Sequence, residues 1–422
     1  MDITVIGGGL AGCEAAWAAA ERGKKVRLFE MKPKKYSPAH SMEGLCELVC
    51  SNSLKAERIE SAGGLLKKEM EHFGSVTVSS AYEAQVPAGG ALAVDREKFS
   101  NVVTEKIMSH ENIEVIREEV TKIPVEGKVI IACGPLVEGA IQKEIENLCG
   151  GYLSFFDAAA PIISLDSIDM ESAFFGARYG RGGDDYINCP LSREEYERFY
   201  MELISAERAP LHENIDAPKV FEGCMPVEIM AGRGSDTLRY GPLKPVGLRD
   251  PRKEEKPYAV VQLRQDNQEG TLYNMVGFQT NLKFGEQKRV FSLIPALKDA
   301  EFVRYGVMHR NLFIDSPRLL NSDFSMKENP DIYFAGQISG VEGYMESAMS
   351  GIIAGMSAAG ETPVLSDYTM MGAISNYISG GSVGTFQPMN ANFGIVPPLD
   401  VRIKNKQERY MAMAKRSIET LK

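Results

Sequence analysis

Tryptophan occurs once in this chain of 422 residues, and histidine only five times. The histidines lack metal-ligand spacing and no CxxC pair occurs, so a structural zinc or iron–sulfur site has no support, and no metal is expected. Seven scattered cysteines are an odd set, which argues against a disulfide framework and fits a reducing compartment. No run of eighteen apolar residues is present, so a membrane-spanning helix is not expected. Basic residues are the minority sign: 47 Lys and Arg stand against 57 Asp and Glu, for a net charge of −10. A nucleic acid could therefore be held only by a local basic patch, not by the overall field. Pro/Ser and Gln/Asn tracts are absent too, and with 44% hydrophobic and 25% charged residues the composition is that of a folded protein of two or three domains. Met1 to Ile6 runs straight into a strand-like segment without the basic start of a secretory leader, which predicts a cytoplasmic protein.

What is there is periodic. Residues 2–6 form an apolar run, Gly7-Gly8-Gly9 breaks it, and Leu10, Cys13, Trp17 and Ala20 recur near helical spacing up to Gly23. Residues 26–30 read as a second strand, completing a βαβ unit whose strands pair in parallel. A helix over 95–107, strands at 113–116 and 129–132, and a helix over 137–149 continue the alternation. From 151 to 319 the texture changes to short β-like runs, such as 258–262 and 272–276, with one polar helix near 192–207. The apolar strand 332–335 then returns, followed by a helix over 346–359 that ends at Gly360. The expected fold is α/β: a Rossmann-like, doubly wound domain with a parallel sheet made discontinuously from 1–150 and 320–422, with an α+β domain inserted at 151–319.

Gly7-x-Gly9-x-x-Gly12 stands where a dinucleotide fingerprint has to stand, after a strand and opening a helix. Gly7 permits the tight turn, Gly9 lets backbone reach a pyrophosphate, and Gly12 allows close helix–strand packing; Gly8, Leu10 and Ala11 complete the turn. Glu30 ends the second strand eighteen residues after Gly12, where a carboxylate accepts hydrogen bonds from a ribose. FAD, NAD and S-adenosylmethionine all use such a half-site. Two further features favour FAD: the strand ending at Ala132-Cys133-Gly134, and a box from Gly336 and Gln337 through Gly340, Gly343 and Tyr344 into a helix, whose amides and positive end suit a flavin ring. No second glycine fingerprint is found, so NAD(P)H would visit a flavin rather than own a domain.

Cys13 reads as core. Cys50 and Cys224 are open to two readings, small buried hydrophobe or nucleophile, and the loop marks Gly223 and Pro226 lean Cys224 toward the second. From Arg402 to Lys422 seven basic residues face two acidic ones, with Met411, Ala414, Ile418 and Leu421 at helical spacing: either a solvated terminal helix or one that contacts phosphates. Lys32, Lys34 and Lys35 read as a smaller, solvated cluster. Tyr344 and Phe393 are candidate platforms for an extruded base, Phe393 equally a core residue. His309-Arg310-Asn311 could contact a folate or could be structural.

The blocks VIGGGLAGCEAA, ELVCSNSLKAE, FEGCMPVE, RYGPLKPVGL, FAGQISGVEGYMESAMSGI and FQPMNANFG together resemble the folate- and FAD-dependent tRNA uracil-5-methyltransferases, the TrmFO family, and more broadly the glucose-inhibited division A proteins. The resemblance spans nearly the whole chain. It implies an enzyme that makes 5-methyluridine at the T-loop uridine (position 54) of tRNA, or by a close variant at a 23S ribosomal RNA uridine. The carbon comes from 5,10-methylenetetrahydrofolate, and NAD(P)H recharges FAD. It also implies that Cys224 and Cys50 are the functional cysteines, with Cys224 adding to uracil C6 and Cys50 assisting at C5 or beside the flavin. Two rival classes remain at this stage: an NAD(P)H-dependent flavin oxidoreductase for a small molecule, and a non-catalytic subunit of an RNA-modifying assembly.

Overall fold

The computed structural model describes residues 3–180, 183–210, 225–381 and 386–421. Four strands from the first third of the chain and one from far along it form a single parallel sheet in the order Ile332–Phe334, Lys128–Ile131, Ile3–Ile6, Val26–Phe29, Ile113–Ile116. Every neighbouring pair is parallel and in unbroken register. Ile3–Ile6 lies in the middle, and the chain leaves it first to one side and later to the other. The crevice at the carboxyl ends of its strands is thus a topological switch point, where open α/β sheets bind ligands.

The helix Leu10–Ala20 crosses the helix Tyr344–Ala358 at close range because both present small residues. A Cβ on Gly351 would lie 2.1 Å from the Ala11 carbonyl oxygen. This contact binds the N-terminal βαβ unit to the returning segment. Inside the first helix Glu14 is fully buried; it accepts hydrogen bonds from the amide of Thr77 at 2.9 Å and from the hydroxyls of Ser75 and Thr77. Burial raises its pKa despite those bonds.

A second sheet of six antiparallel strands, Phe174–Phe175, Tyr186–Leu191, Ala259–Gln265, Leu272–Met275, Ile162–Ser164 and Phe302–Arg304, has its own apolar core around Phe199, Phe278 and Phe291. The polar helix expected near 192–207 is Arg193–Ser205, closed at its start by a capping box of Ser192 and Glu195. A two-stranded ladder, Leu153–Ala158 with Met308–Phe313, runs between the two sheets in sequence. No helix among the described residues is long and apolar enough to cross a membrane.

The last helix, Lys406–Thr420, is tied down through Glu69 of the helix Ala62–His72. Glu69 accepts from the amides of Met370 and Met371, each at 2.7 Å, and from the Ser417 hydroxyl at 2.5 Å, so one buried carboxyl joins three helices. Burial pushes its pKa up to about 7 against the opposing effect of those donors. A carboxyl raised on folding contributes stability that is whole below its unfolded pKa and is lost as pH climbs through the folded one. Thermal melts should therefore show stability falling between about pH 5 and 8, by on the order of 2–3 kcal/mol, with that slope reduced in Glu69→Gln. An unchanged slope in the variant would remove Glu69 as its source.

Candidate functional site: a dinucleotide cavity beside a clamped cysteine loop

At the switch point lies a cavity of about 1310 Å³ including its open mouth. Of the residues singled out from the fingerprint, the later strand end and the returning box, Gly7, Gly8, Gly9, Leu10, Ala11, Glu30, Gly134, Gly336, Gln337 and Tyr344 all line it. Gly12 and Gly343 do not; they shape it from behind. A Cβ on Gly12 would lie 1.8 Å from the Gly7 carbonyl oxygen, so only glycine lets the helix start this close to the strand. Gly343 has φ +118° and precedes the helix Tyr344–Ala358, whose first turn reaches the cavity through Tyr344 and Ser347 and brings its partial positive charge there.

Gly9 has no atom within 4 Å of where its Cβ would be, and the same holds for Gly134. The space beside the turn is free for a ligand's backbone-hugging atoms. Glu30 Oε2 accepts the Gly8 amide at 3.0 Å and Oε1 accepts the Lys32 amide at 2.9 Å. Each oxygen keeps a second lone pair, enough for a ribose hydroxyl. A glycine cradle, a positioned acid and a helix end on one cavity fit an adenine dinucleotide carrying a flavin.

Lys32 does not belong to a solvated cluster. It is buried, donates to the Gly44 carbonyl at 2.7 Å, and pairs with the equally buried Glu47 at 3.4 Å. Burial pulls the Glu47 carboxyl up, but the amides of Ser41 and Met42 and the charge of Lys32 hold it below its ordinary value. Sequence spacing alone could not reveal this pair, because it closes the turn around 40–47 and requires the fold to exclude water. His40 is lowered by burial first and by Lys32 next, and His309 by burial and Arg304; both are neutral imidazoles near neutral pH.

Cys50 is half-buried and sits just outside the cavity, between two of its lining residues, Val49 and Tyr344. Its loop is held through several backbone and side-chain atoms. The Tyr344 hydroxyl accepts the amides of Cys50 at 2.8 Å and Ser51 at 3.3 Å. Arg96 donates to the carbonyls of Leu48 at 2.7 Å and Cys50 at 3.4 Å, Arg304 to that of Val49 at 2.8 Å, and Arg264 to Ser51 Oγ and Asn52 Oδ1 at 2.8 and 3.0 Å. Arg96 is itself anchored on the buried Asp266 at 3.0 Å. Three arginines from separate parts of the chain thus converge on one cysteine loop, a feature that sequence reading missed. Burial, and then proximity to Cys50, hold the Tyr344 phenol well above its ordinary pKa, so it stays protonated.

The other described cysteines differ. Burial pushes the thiols of Cys133 and Cys149 up to about 12, and those of Cys46 and Cys189 rise for the same reason, which disfavours the thiolate in all four; Cys133, half-buried, lines the cavity. Cys13 is buried and donates to the Gly8 carbonyl. Cys224 lies outside the described residues. Phe393 is not a platform: it is 7% exposed and stacks on Tyr410 at 4.3 Å. On the terminal helix Arg416 donates to the Pro398 carbonyl at 2.9 Å and lies over the Tyr368 ring, while Arg402, Lys404 and Lys406 remain exposed.

A profile of the family described as "Glucose inhibited division protein A" matches residues 2–363. The chain belongs to that family. Among relatives of the glucose-inhibited division A family, a protein of Acetivibrio thermocellus is 60% identical over all of this chain and 98% of its own length, and one of Desulforamulus reducens is 58% identical over all of this chain and 96% of its own. A third, of Ligilactobacillus salivarius, is 55% identical over the same span. All three carry the name methylenetetrahydrofolate–tRNA-(uracil-5-)-methyltransferase TrmFO. Among solved structures, Aquifex aeolicus GidA superposes with a TM-score of 0.68 at 15% identity, covering 99% of this chain and 73% of that one. At that identity the likeness establishes the fold and nothing more.

Proposed function

We propose that this chain is a folate- and FAD-dependent methyltransferase that converts a tRNA uridine, the one in the T-loop, to 5-methyluridine in the cytosol. The observation that carries the reading is the 60% identity, end to end, to a protein named for that activity. The cavity supports it independently, since the reaction needs a bound two-electron carrier next to a reactive thiol.

Uracil C5 is a poor nucleophile until a thiolate adds to C6, which makes C5 an enolate-like carbon able to attack a one-carbon unit. Methylenetetrahydrofolate delivers that unit at the formaldehyde level, and bound FAD supplies the two electrons that bring it to methyl, with NAD(P)H as their source. The C5 proton must leave and the C6 thiolate must depart for the ring to regain aromaticity. We assign Cys224 as the C6 nucleophile and Cys50 as the group that takes the C5 proton. The arginine clamp fixes the Cys50 backbone at the cavity edge, and Tyr344, held protonated, locks the loop without competing as a base. The exposed Arg402, Lys404 and Lys406 give an acidic protein a local surface for RNA phosphates.

The test uses purified, flavin-loaded protein with unmodified tRNA or 23S ribosomal RNA transcripts, methylenetetrahydrofolate and NAD(P)H, followed by nucleoside mass spectrometry. The expected product is 5-methyluridine on tRNA. Its appearance only on ribosomal RNA would redirect the substrate, and consumption of NAD(P)H by a small acceptor without any 5-methyluridine would favour a plain flavin oxidoreductase. In the same assay Cys224→Ala should keep a normal flavin spectrum and lose at least about 1,000-fold in methyl transfer, as removal of a covalent nucleophile does. Retained transfer would remove the assignment.

A further inference from the structure

Away from the cavity, three aromatic rings stand in a nearly parallel stack. Phe302 and Tyr305 have centroids 5.4 Å apart at an interplanar angle of 10°, and Tyr305 and Phe284 lie 4.9 Å apart at 15°. The inner end is anchored: Phe302 leans on the fully buried Phe291 of the second core. The outer end is not, for Phe284 is 54% exposed although it opens the helix Phe284–Phe291. Both faces of Tyr305 are covered, so Phe284 offers the stack's one outward ring. The backbone beneath is rigid, since Gly306 packs so tightly that a Cβ there would sit 2.6 Å from the Ala159 carbonyl oxygen.

The position of the stack also bears on its use. Arg304, adjacent to Tyr305, donates to Val49, a cavity-lining residue beside Cys50. On the other flank the stretch leading to Phe284 is bound by the segment that follows Cys224: the Val227 amide donates to the Gln279 carbonyl at 2.7 Å, and the Asn281 amide to Glu228 at 2.8 Å. Lys283 and Lys288 are exposed and flank Phe284 in sequence, and Lys283 is paired with Glu207 at 2.5 Å. A single exposed ring with Lys288 one helical turn away suits neither a helix nor a second copy of this chain, which need broad apolar area; it suits one planar heterocycle on a phosphate backbone.

We propose that Phe284, stiffened by Tyr305 and Phe302, is the stacking platform for a nucleobase of the RNA substrate, holding it while the target uridine is turned toward the cavity. The proposal rests on the RNA-methylation reading and adds a binding residue to it. Stacking of a base on an aromatic ring is sequence-tolerant, so the platform positions the RNA without choosing its sequence.

Phe284→Ala in the full, flavin-loaded chain is expected to lower kcat/KM for tRNA on the order of 10- to 100-fold, with flavin spectrum and thermal midpoint like the unaltered protein, and Phe284→Tyr to restore it. An unchanged kcat/KM in Phe284→Ala would overturn the proposal. A second arm needs no turnover. The chain has one native tryptophan, so the added fluorescence of Phe284→Trp over that baseline reports directly on this ring. Quenching by unmodified tRNA transcript but not by tetrahydrofolate is the expected result. Quenching by tetrahydrofolate alone, or by neither, would overturn the assignment. Should the unaltered protein make no 5-methyluridine, the methylation reading falls, while the fluorescence arm still decides the platform.

Discussion

Gly12→Ala is expected to give protein that purifies with little or no yellow colour. The new methyl would have to share space with the Gly7 carbonyl oxygen, 1.8 Å away, so the first helix must retreat from the strand Ile3–Ile6 by more than an ångström. That retreat opens the turn that cradles the phosphates and breaks the close crossing with the helix Tyr344–Ala358. Forced overpacking of this kind costs on the order of 3 kcal/mol, equivalent to roughly 100-fold in cofactor affinity. The comparison that gives the result meaning is Gly9→Ala. Gly9 has φ −78° and open space beyond it, so alanine fits the protein and intrudes only on the ligand. Gly9→Ala should keep its thermal midpoint without cofactor and lose flavin; Gly12→Ala should lose both. Absorbance at the flavin band against protein, together with melts of flavin-free samples, separates the two. Full flavin content in both would mean that the cavity is not the cofactor's.

Arg96→Met should be the most destabilising change near Cys50. Arg96 and Asp266 are both buried and paired at 3.0 Å, and removing one partner strands the other charge, at a cost of about 3–5 kcal/mol. The same change uncovers the carbonyls of Leu48 and Cys50, so methyl transfer should fall further than stability alone accounts for. Adding Asp266→Asn removes the stranded charge, and denaturant midpoints should recover most of the loss. Methylation should not recover, because the loop still lacks its clamp. If the double variant regained full activity, the arginine would be a structural ion-pair partner only.

These two predictions also mark where the sequence is legible. The glycine turn, the acid at the end of the second strand and the returning strand at 332–334 are local patterns: each is a few residues whose backbone requirement shows in their identity. The parallel pairing of Ile332–Phe334 with Val129–Ile131 could be expected because both are short apolar runs that only a doubly covered sheet can bury. The clamp around Cys50 is another matter. Arg96 and Asp266 are 170 residues apart, and an isolated arginine on a helix with polar neighbours gives no sign of being buried. Phe393 stays open between platform and core for the related reason that its stacking partner, Tyr410, lies outside its own loop. Lys32 read as one of three surface lysines, although its neighbour Glu47 lies only fifteen residues on, because nothing local says that the turn between them sheds water.

The late arrival of one strand has a consequence for how the chain is made. Lys128–Ile131 leaves the ribosome early, yet the neighbour that covers its flank is translated two hundred residues afterwards. At ordinary elongation rates, about 5–20 residues per second, the sheet's edge waits roughly 10–40 s for its partner. During that interval the nascent chain carries an unpaired hydrophobic border, and the flavin's berth cannot close until the final quarter of the polypeptide is in hand.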